Sequence, residues 1–232
     1  MRQGITWRPL SWLAGSATMK KNLLIVLMQL SMLTSAWARE RLLPVDEAAK
    51  VPDFFAFRAQ LQNAVARHDV QAVLAVVHPH VMMGFGSDQG MAAFVARWQP
   101  HEPKTQLWDT MSTVLALGGA FNPDGSFYAP YTNSRWPLPD AIGYLAALDS
   151  NVPVYAAPHK RSSTVGKLNF EIVAWVDNAD TPRIPVGWTA IQWRAGKTAY
   201  VESRRVRSPV DYGITFRKID GRWTITNFYA GD

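Results

Sequence analysis

The chain has 232 residues, 48% of them hydrophobic and 18% charged, with 24 Lys and Arg against 18 Asp and Glu. That composition is too apolar for an intrinsically disordered polymer and allows one large domain or two small ones. Cysteine is absent, which excludes both disulfide stapling and a Cys nucleophile.

The first feature in chain order is an export signal. Met19-Lys20-Lys21 forms a basic start, Leu23 to Leu33 an apolar core, and Ala36-Trp37-Ala38 the small-residue pattern of a cleavage site. Residues 1–38 therefore read as a secretory signal peptide, with Met19 an alternative start if residues 1–18 reflect an upstream start artefact. The apolar run falls short of the roughly 20 residues that a membrane span needs, so no stable span is expected after cleavage. Of the 24 bases, Arg2, Arg8, Lys20 and Lys21 lie in this segment and no acid does, which leaves 20 bases against 18 acids, a net +2 rather than +6. A periplasmic or secreted protein is expected, and nucleic acid is not expected as a partner.

Residues 39–150 read as a helical N-terminal domain with a connector. Phe54, Phe57, Leu61 and Val65 recur at helical spacing after Pro52, with Asp53 as the expected cap. Val70, Val73, Leu74 and Val77 form a second stripe after Asp69. Met91, Phe94, Val95 and Trp98 form a third, opened by Ser87 or Asp88. Leu107, Met111, Val114 and Leu115 form a fourth, stopped by Gly118-Gly119. Val81 to Phe85 predicts a short strand. Helix, helix, strand, helix resembles the order of the NTF2-like cone fold. Residues 119–150 interleave turn formers with Phe121, Phe127, Tyr128, Tyr131 and Trp136, which predicts an ordered connector, and Ala141 to Leu148 predicts a turn or two of helix.

Residues 151–210 alternate apolar and polar residues in short runs broken by Pro, Gly, Ser or Asn, the pattern of a small, strongly bent antiparallel barrel. In residues 211–232, Ile214 and Phe216 face Trp223 and Ile225 across Asp220-Gly221, a hairpin turn signal. That hairpin is expected to return to the N-terminal domain, making the barrel an insertion. The fold class is therefore α+β: a helical N-terminal part completed by a C-terminal β-hairpin, plus a small SH3-like β-barrel.

The barrel pattern has specific components. Val152 and Val154 precede Tyr155 and Pro158; Val165-Gly166-Lys167-Leu168 follows Ser162 and Ser163; Trp188 and Ile191 precede the Gly196-Lys197 turn and the pair Tyr200-Val201. Together these residues resemble the bacterial SH3 (SH3b) family. The resemblance implies an exported protein that contacts cell-wall peptides or envelope proteins, although Ala199 stands where that family commonly has Gly. It implies ligand-binding candidates Tyr155, Trp188, Trp193 and Tyr200, with Arg204, Arg205 and Arg207 offering a fork to a carboxylate. The same rings could instead fill the barrel, and the arginines could form a solvated edge.

No catalytic constellation accompanies these motifs. His78-Pro-His80 is the one close His pair and reads as a turn with surface imidazoles, so no metal site or cofactor is expected. The five Glu fall in no glycosidase pattern, and the Gly-rich run from Gly84 to Gly90 lacks the Lys and Ser/Thr of a phosphate loop. The expected partner is a cell-wall peptide or an envelope protein. The rival readings are a purely structural protein-interaction module and a cell-envelope hydrolase with the barrel as its targeting domain.

Overall fold

The computed structural model describes residues 39–84, 89–176 and 183–230. The export-signal segment 1–38 and the expected helix opening at Ser87 or Asp88 lie outside the described residues, as does part of the Gly-rich run.

The chain is α+β. Its helices are α1 (Pro52–Ala66), α2 (Val70–Leu74), α3 (Met91–Trp98), α4 (Leu107–Ala116) and α5 (Tyr131–Ser134). Its first strands are β1 (Val77–Met82), β2 (Ala120–Phe121), β3 (Phe127–Ala129), β4 (Tyr144–Ala147), β5 (Val152–Tyr155) and β6 (Thr164–Leu168). The remaining six are β7 (Ile172–Ala174), β8 (Trp188–Gln192), β9 (Thr198–Glu202), β10 (Val206–Arg207), β11 (Gly213–Ile219) and β12 (Arg222–Tyr229).

Asp69 caps α2 by accepting a hydrogen bond from the Ala72 N–H at 3.0 Å, which satisfies a donor the helix start would leave open. Asp53 is not the cap of α1. Val51 holds that position, and Asp53 sits in the first turn, where it pairs with Lys218 of β11. Three expectations are corrected. The strand placed at Val81 to Phe85 begins at Val77 and ends at Met82. His78-Pro79-His80 is therefore strand rather than turn, and Pro79 is tolerated because β1 is an edge strand. The helix expected over Ala141 to Leu148 is replaced by β4. A short apolar run buried on both sides has no periodicity to tell helix from strand, and β4 is claimed by β7 on one edge and β10 on the other.

The five-stranded sheet has the order β1-β12-β11-β3-β2. The hairpin β11–β12 turns at Asp220-Gly221, both at positive φ (48° and 77°), the backbone that a two-residue hairpin turn requires. It pairs antiparallel with β3 and parallel with β1, so the last strands of the chain occupy the centre of the sheet. Phe54 of α1 lies at the middle of the core beneath it. Its ring centroid is 4.4 Å from Phe127, 4.7 Å from Trp223 and 5.5 Å from Phe216.

The strands from β4 to β10 form two small sheets, β10-β4-β7 and β6-β5-β9-β8. Among the described residues their backbones are joined by one bridge, Trp175↔Ile191, with Val176 N–H donating to Ala190 O at 3.1 Å. The hydrogen-bond ladders do not close into a ring, so the expected barrel is an open pair of sheets around one apolar centre that includes Val152, Val154, Leu168, Ile191 and Val201.

Residues 40–47 form a strap that sequence patterning does not reveal. At one end Arg41 bridges Glu171, Ile172 N–H donates to Glu40 O at 2.8 Å and Leu42 N–H to Phe170 O at 2.8 Å. At the other end Asp46 bridges Gly119, and Arg58 of α1 grips both Asp46 carboxylate oxygens at 2.7 and 2.6 Å. Glu47 is held by Lys50 at 2.8 Å, the Phe121 N–H at 2.9 Å and Arg135 at 3.1 Å. These contacts, Lys50 foremost, bring the Glu47 carboxyl from its usual 4.5 down to about 2, against a smaller opposing effect of burial.

Three outcomes follow from this architecture. Phe54→Ala should cost about 3–5 kcal/mol, read as a lowered urea midpoint, because a fully buried ring is removed. Phe55→Ala, at a ring 51% exposed, should stay within about 0.5 kcal/mol of the parent. The depressed Glu47 carboxyl stabilises the fold fully above pH 4.5 and less as pH falls towards about 2. Glu47→Gln should therefore flatten the acid limb of a stability-against-pH curve over that window, measured by denaturant titration at each pH.

Candidate functional site

The outer face of the four-stranded sheet collects three of the expected rings. Register pairs Tyr155 with Tyr200 and Tyr200 with Ala190, while Trp188 pairs with Glu202. Side chains alternate along a strand, so Trp188, Tyr200 and Glu202 share one face while Ala199 and Val201 point into the core. Tyr155 meets Trp188 edge to face, with centroids 5.2 Å apart. Arg204 belongs to this face but is engaged: its Nε donates to Glu202 Oε2 at 3.0 Å, and Lys160 approaches the same oxygen at 3.6 Å. Those cations hold the Glu202 carboxyl below its ordinary range despite the opposing effect of burial, the largest single influence.

The other expected site residues do not join them. Trp193 is buried and belongs to the core, because it lies two residues beyond Ile191 on the inward side. Its ring covers Gly166, where an added Cβ would come within 2.4 Å of Trp193 Cζ2. Arg205 turns to Asp149, at 3.1 Å. Arg207 lies in β10 with its Nη2 donating to Tyr212 O at 2.6 Å. The three arginines thus do not converge on one carboxylate. They follow one another through a 3-10 turn, Ser203–Arg205, and into β10, which sends their side chains in different directions.

A groove opens beside the bridge that joins the two small sheets. Its volume is about 490 Å³, and its walls come from the approach to β4, the end of β7, the start of β8, and the segment from Ser203 to Asp211. Ile142 and Trp175 stand at its lip, 65% and 44% exposed, and Val206 and Val210 line its side. Its polar side chains are Tyr144, Thr189, Ser203, Arg207, Ser208 and Asp211. Thr189 and Ser203 pair hydroxyl to hydroxyl at 2.8 Å, and Arg207 supplies the cation in the wall. The Arg207 Nε is buried without a hydrogen-bond partner among the described residues. Burial pulls the guanidinium below its ordinary value, while Asp211 and Tyr128 oppose the shift.

Local sequence explains the walls. Trp175 N–H donates to Gly143 O at 2.7 Å, and Gly143 has the positive φ of 80° that lets the chain turn into β4. A turn closed by Ser208 N–H on Asp211 Oδ2 at 3.2 Å carries the chain from β10 towards β11. Sequence patterning nominated only Arg207 among the groove's residues. Ile142 fell in an expected helix and Trp175 within the barrel expected over residues 151–210. Their exposure depends on how the two sheets meet, which no local pattern records.

A second depression, about 600 Å³, lies between the β2–β3 turn and β11. Its bases are already matched, Arg217 with Asp124 at 2.8 Å and Lys218 with Asp53. It offers a ligand less than the groove does, because a bound anion would have to displace a carboxylate from each base.

Set against known proteins, the chain matches no family model, and no curated sequence or solved structure shows significant similarity to it.

The fit of Trp193 over Gly166 generates a test of the lobe that carries the groove. Gly166→Ala should destabilise the protein by about 1–3 kcal/mol through overpacking, and the environment of Trp193 should change in near-ultraviolet circular dichroism. An unaltered spectrum and midpoint would show that the ring does not press on this strand.

Proposed function

We propose that the chain is an exported, non-catalytic binding protein whose SH3-like region seats a peptide segment in the groove beside Trp175, and that the peptide stem of the cell wall is its ligand. The observation that carries this reading is the groove itself: two exposed apolar side chains, Ile142 and Trp175, above a lining whose open surface is mostly apolar. Ligand sites of small domains commonly combine apolar area with a few directional groups. Apolar stems would rest against Trp175 and Val206, and the Thr189–Ser203 hydroxyls would meet peptide N–H or C=O groups. The Arg207 guanidinium would favour a ligand carboxylate at the groove's inner end.

The SH3-like reading is supported by the order of β4 to β10. Seven short strands follow one another in sequence and pair antiparallel, as in a small bent barrel, here left open on one side. On this reading the lobe begins at β4 rather than at residue 151. Export is supported by the signal-peptide pattern of residues 1–38.

Retention on purified cell-wall sacculi tests the proposal. The parent protein should co-sediment, and Trp175→Ala and Ile142→Asp should each reduce retention at least about ten-fold, a loss expected when an anchor at an interface is removed. Both positions are partly exposed, so their variants should keep the parent's unfolding midpoint. Equal retention of parent and variants would remove the groove as the site, and no retention of the parent would remove the cell-wall ligand.

A further inference from the structure

The outer face of the four-stranded sheet gathers several groups in one place, and none of them lines the groove. Tyr155 stands opposite Tyr200 and Trp188 opposite Glu202, so these four side chains project from the same side of β5, β9 and β8. β9 lies between the other two strands. The Tyr155 and Trp188 rings meet across it, with centroids 5.2 Å apart and planes inclined by 85°. Each of the three rings is half-buried, which leaves part of it open to solvent. On the inward side Val154, Ala199 and Val201 are buried in the core, so the strands that carry the rings are fixed.

Glu202 supplies the polar part of this face. Its Oε2 receives two bases, Arg204 Nε at 3.0 Å and the Lys160 ammonium at 3.6 Å. Both bases are well exposed, at 68% and 67% of their side chains. Two cations against one carboxylate leave one positive charge in excess. Among the described residues the hydrogen bond from Arg204 uses Nε and Oε2 alone, so Glu202 Oε1 and the two terminal nitrogens of the guanidinium are open to a ligand.

We propose that this face is a second binding site and that its ligand is an acidic saccharide, a sugar bearing a carboxylate. The C–H face of a sugar ring is apolar and rests on an aromatic ring, while the phenol and indole polar groups of the same side chains meet its hydroxyls. Glu202 Oε1 accepts from a further hydroxyl in a charge-assisted bond. The excess positive charge matches the ligand carboxylate, to which Arg204 offers two parallel N–H groups. Three features of one sugar unit thus find partners on one patch. Perpendicular rings would also suit a quaternary ammonium, but the two bases repel it. Nucleic acid binds by neutralising several phosphates, and here one cation is in excess beside a carboxylate that opposes phosphate.

Calorimetric titration of the purified full chain with trigalacturonate, maltotriose and hexathymidylate tests the proposal. The parent protein should bind the acidic trisaccharide at least about ten-fold more tightly than the neutral one. Trp188→Ala should weaken that binding at least about ten-fold, and Arg204→Gln should bring trigalacturonate down to the level of maltotriose. Phe55→Ala, an exposed ring on α1, should leave binding unchanged. Arg204 is exposed, so its variant keeps the fold and reads the site even where Trp188→Ala loses stability; far-ultraviolet circular dichroism reports the folding of each. The proposal is overturned if the parent does not bind trigalacturonate, binds maltotriose equally or binds hexathymidylate more tightly. It is equally overturned if Arg204→Gln or a folded Trp188→Ala binds like the parent, or if Phe55→Ala weakens binding as much as they do.

Discussion

The Asp46–Arg58 pair is the joint on which both halves of the structure depend. Arg58 has a side chain only 7% exposed, and both of its terminal nitrogens are spent on the two oxygens of Asp46. A buried guanidinium without its carboxylate would be an uncompensated charge, so α1 fixes the position of the strap that supplies Asp46. The strap in turn has no helical or strand-like patterning of its own. Its backbone groups are satisfied by neighbours instead: Glu47 N–H donates to Gly119 O at 2.9 Å and Gly119 N–H to Val45 O at 3.0 Å. Gly119 must lack a side chain, because a Cβ there would lie 2.3 Å from Tyr128 O.

From the strap the constraint passes to the groove. Residues 40–42 lie along Phe170 to Ile172 and hold the outer edge of β7, and Trp175 follows directly at its end. The opposite wall is fixed by the hairpin, since Arg207 is anchored to the Tyr212 carbonyl one residue before β11 begins. Tyr212 itself packs on Trp98 and Phe228 and takes a hydrogen bond on its hydroxyl from Arg97 at 3.0 Å. The groove is thus built on the small sheets, but its walls are held by elements of the helical half. An inserted lobe acquires a defined opening because both of its ends are tied down.

Much of the fold was legible in the sequence, and the losses have identifiable causes. Helices α1 to α4 were readable because each carries one apolar stripe, and the terminal hairpin because Asp220-Gly221 imposes its turn. β4 was misread because Ala146 and Ala147 are buried without alternation, so nothing in the run distinguishes strand from helix. The strap was invisible because ion pairs distant in sequence leave no periodic trace. In the candidate site, Tyr155, Trp188 and Tyr200 were found as rings, but their common face depends on the register of β5, β9 and β8. Trp193 shows the converse. Two positions past the buried Ile191, on the same inward side, a similar ring turns into the core, and only Gly166 opposite it, where an added Cβ would meet the ring, hints at the outcome.

Both surfaces singled out here lie on the small sheets, one on a continuous hydrogen-bond ladder and one where a ladder stops. β9 pairs with β5 and with β8, so alternation alone gathers the outer rings on one side of it. Among the described residues the two small sheets share one isolated bridging pair, and Trp175 within it is 44% exposed. An incomplete ladder exposes side chains that a continuous sheet would pair or bury, while the backbone around them stays anchored. Recognition demands that combination, an accessible side chain on a fixed frame. The two surfaces differ in what they expose, rings beside a carboxylate and two bases at one and aromatic and aliphatic surface at the other. The chemistry available to the protein therefore follows from which residue types stand at each.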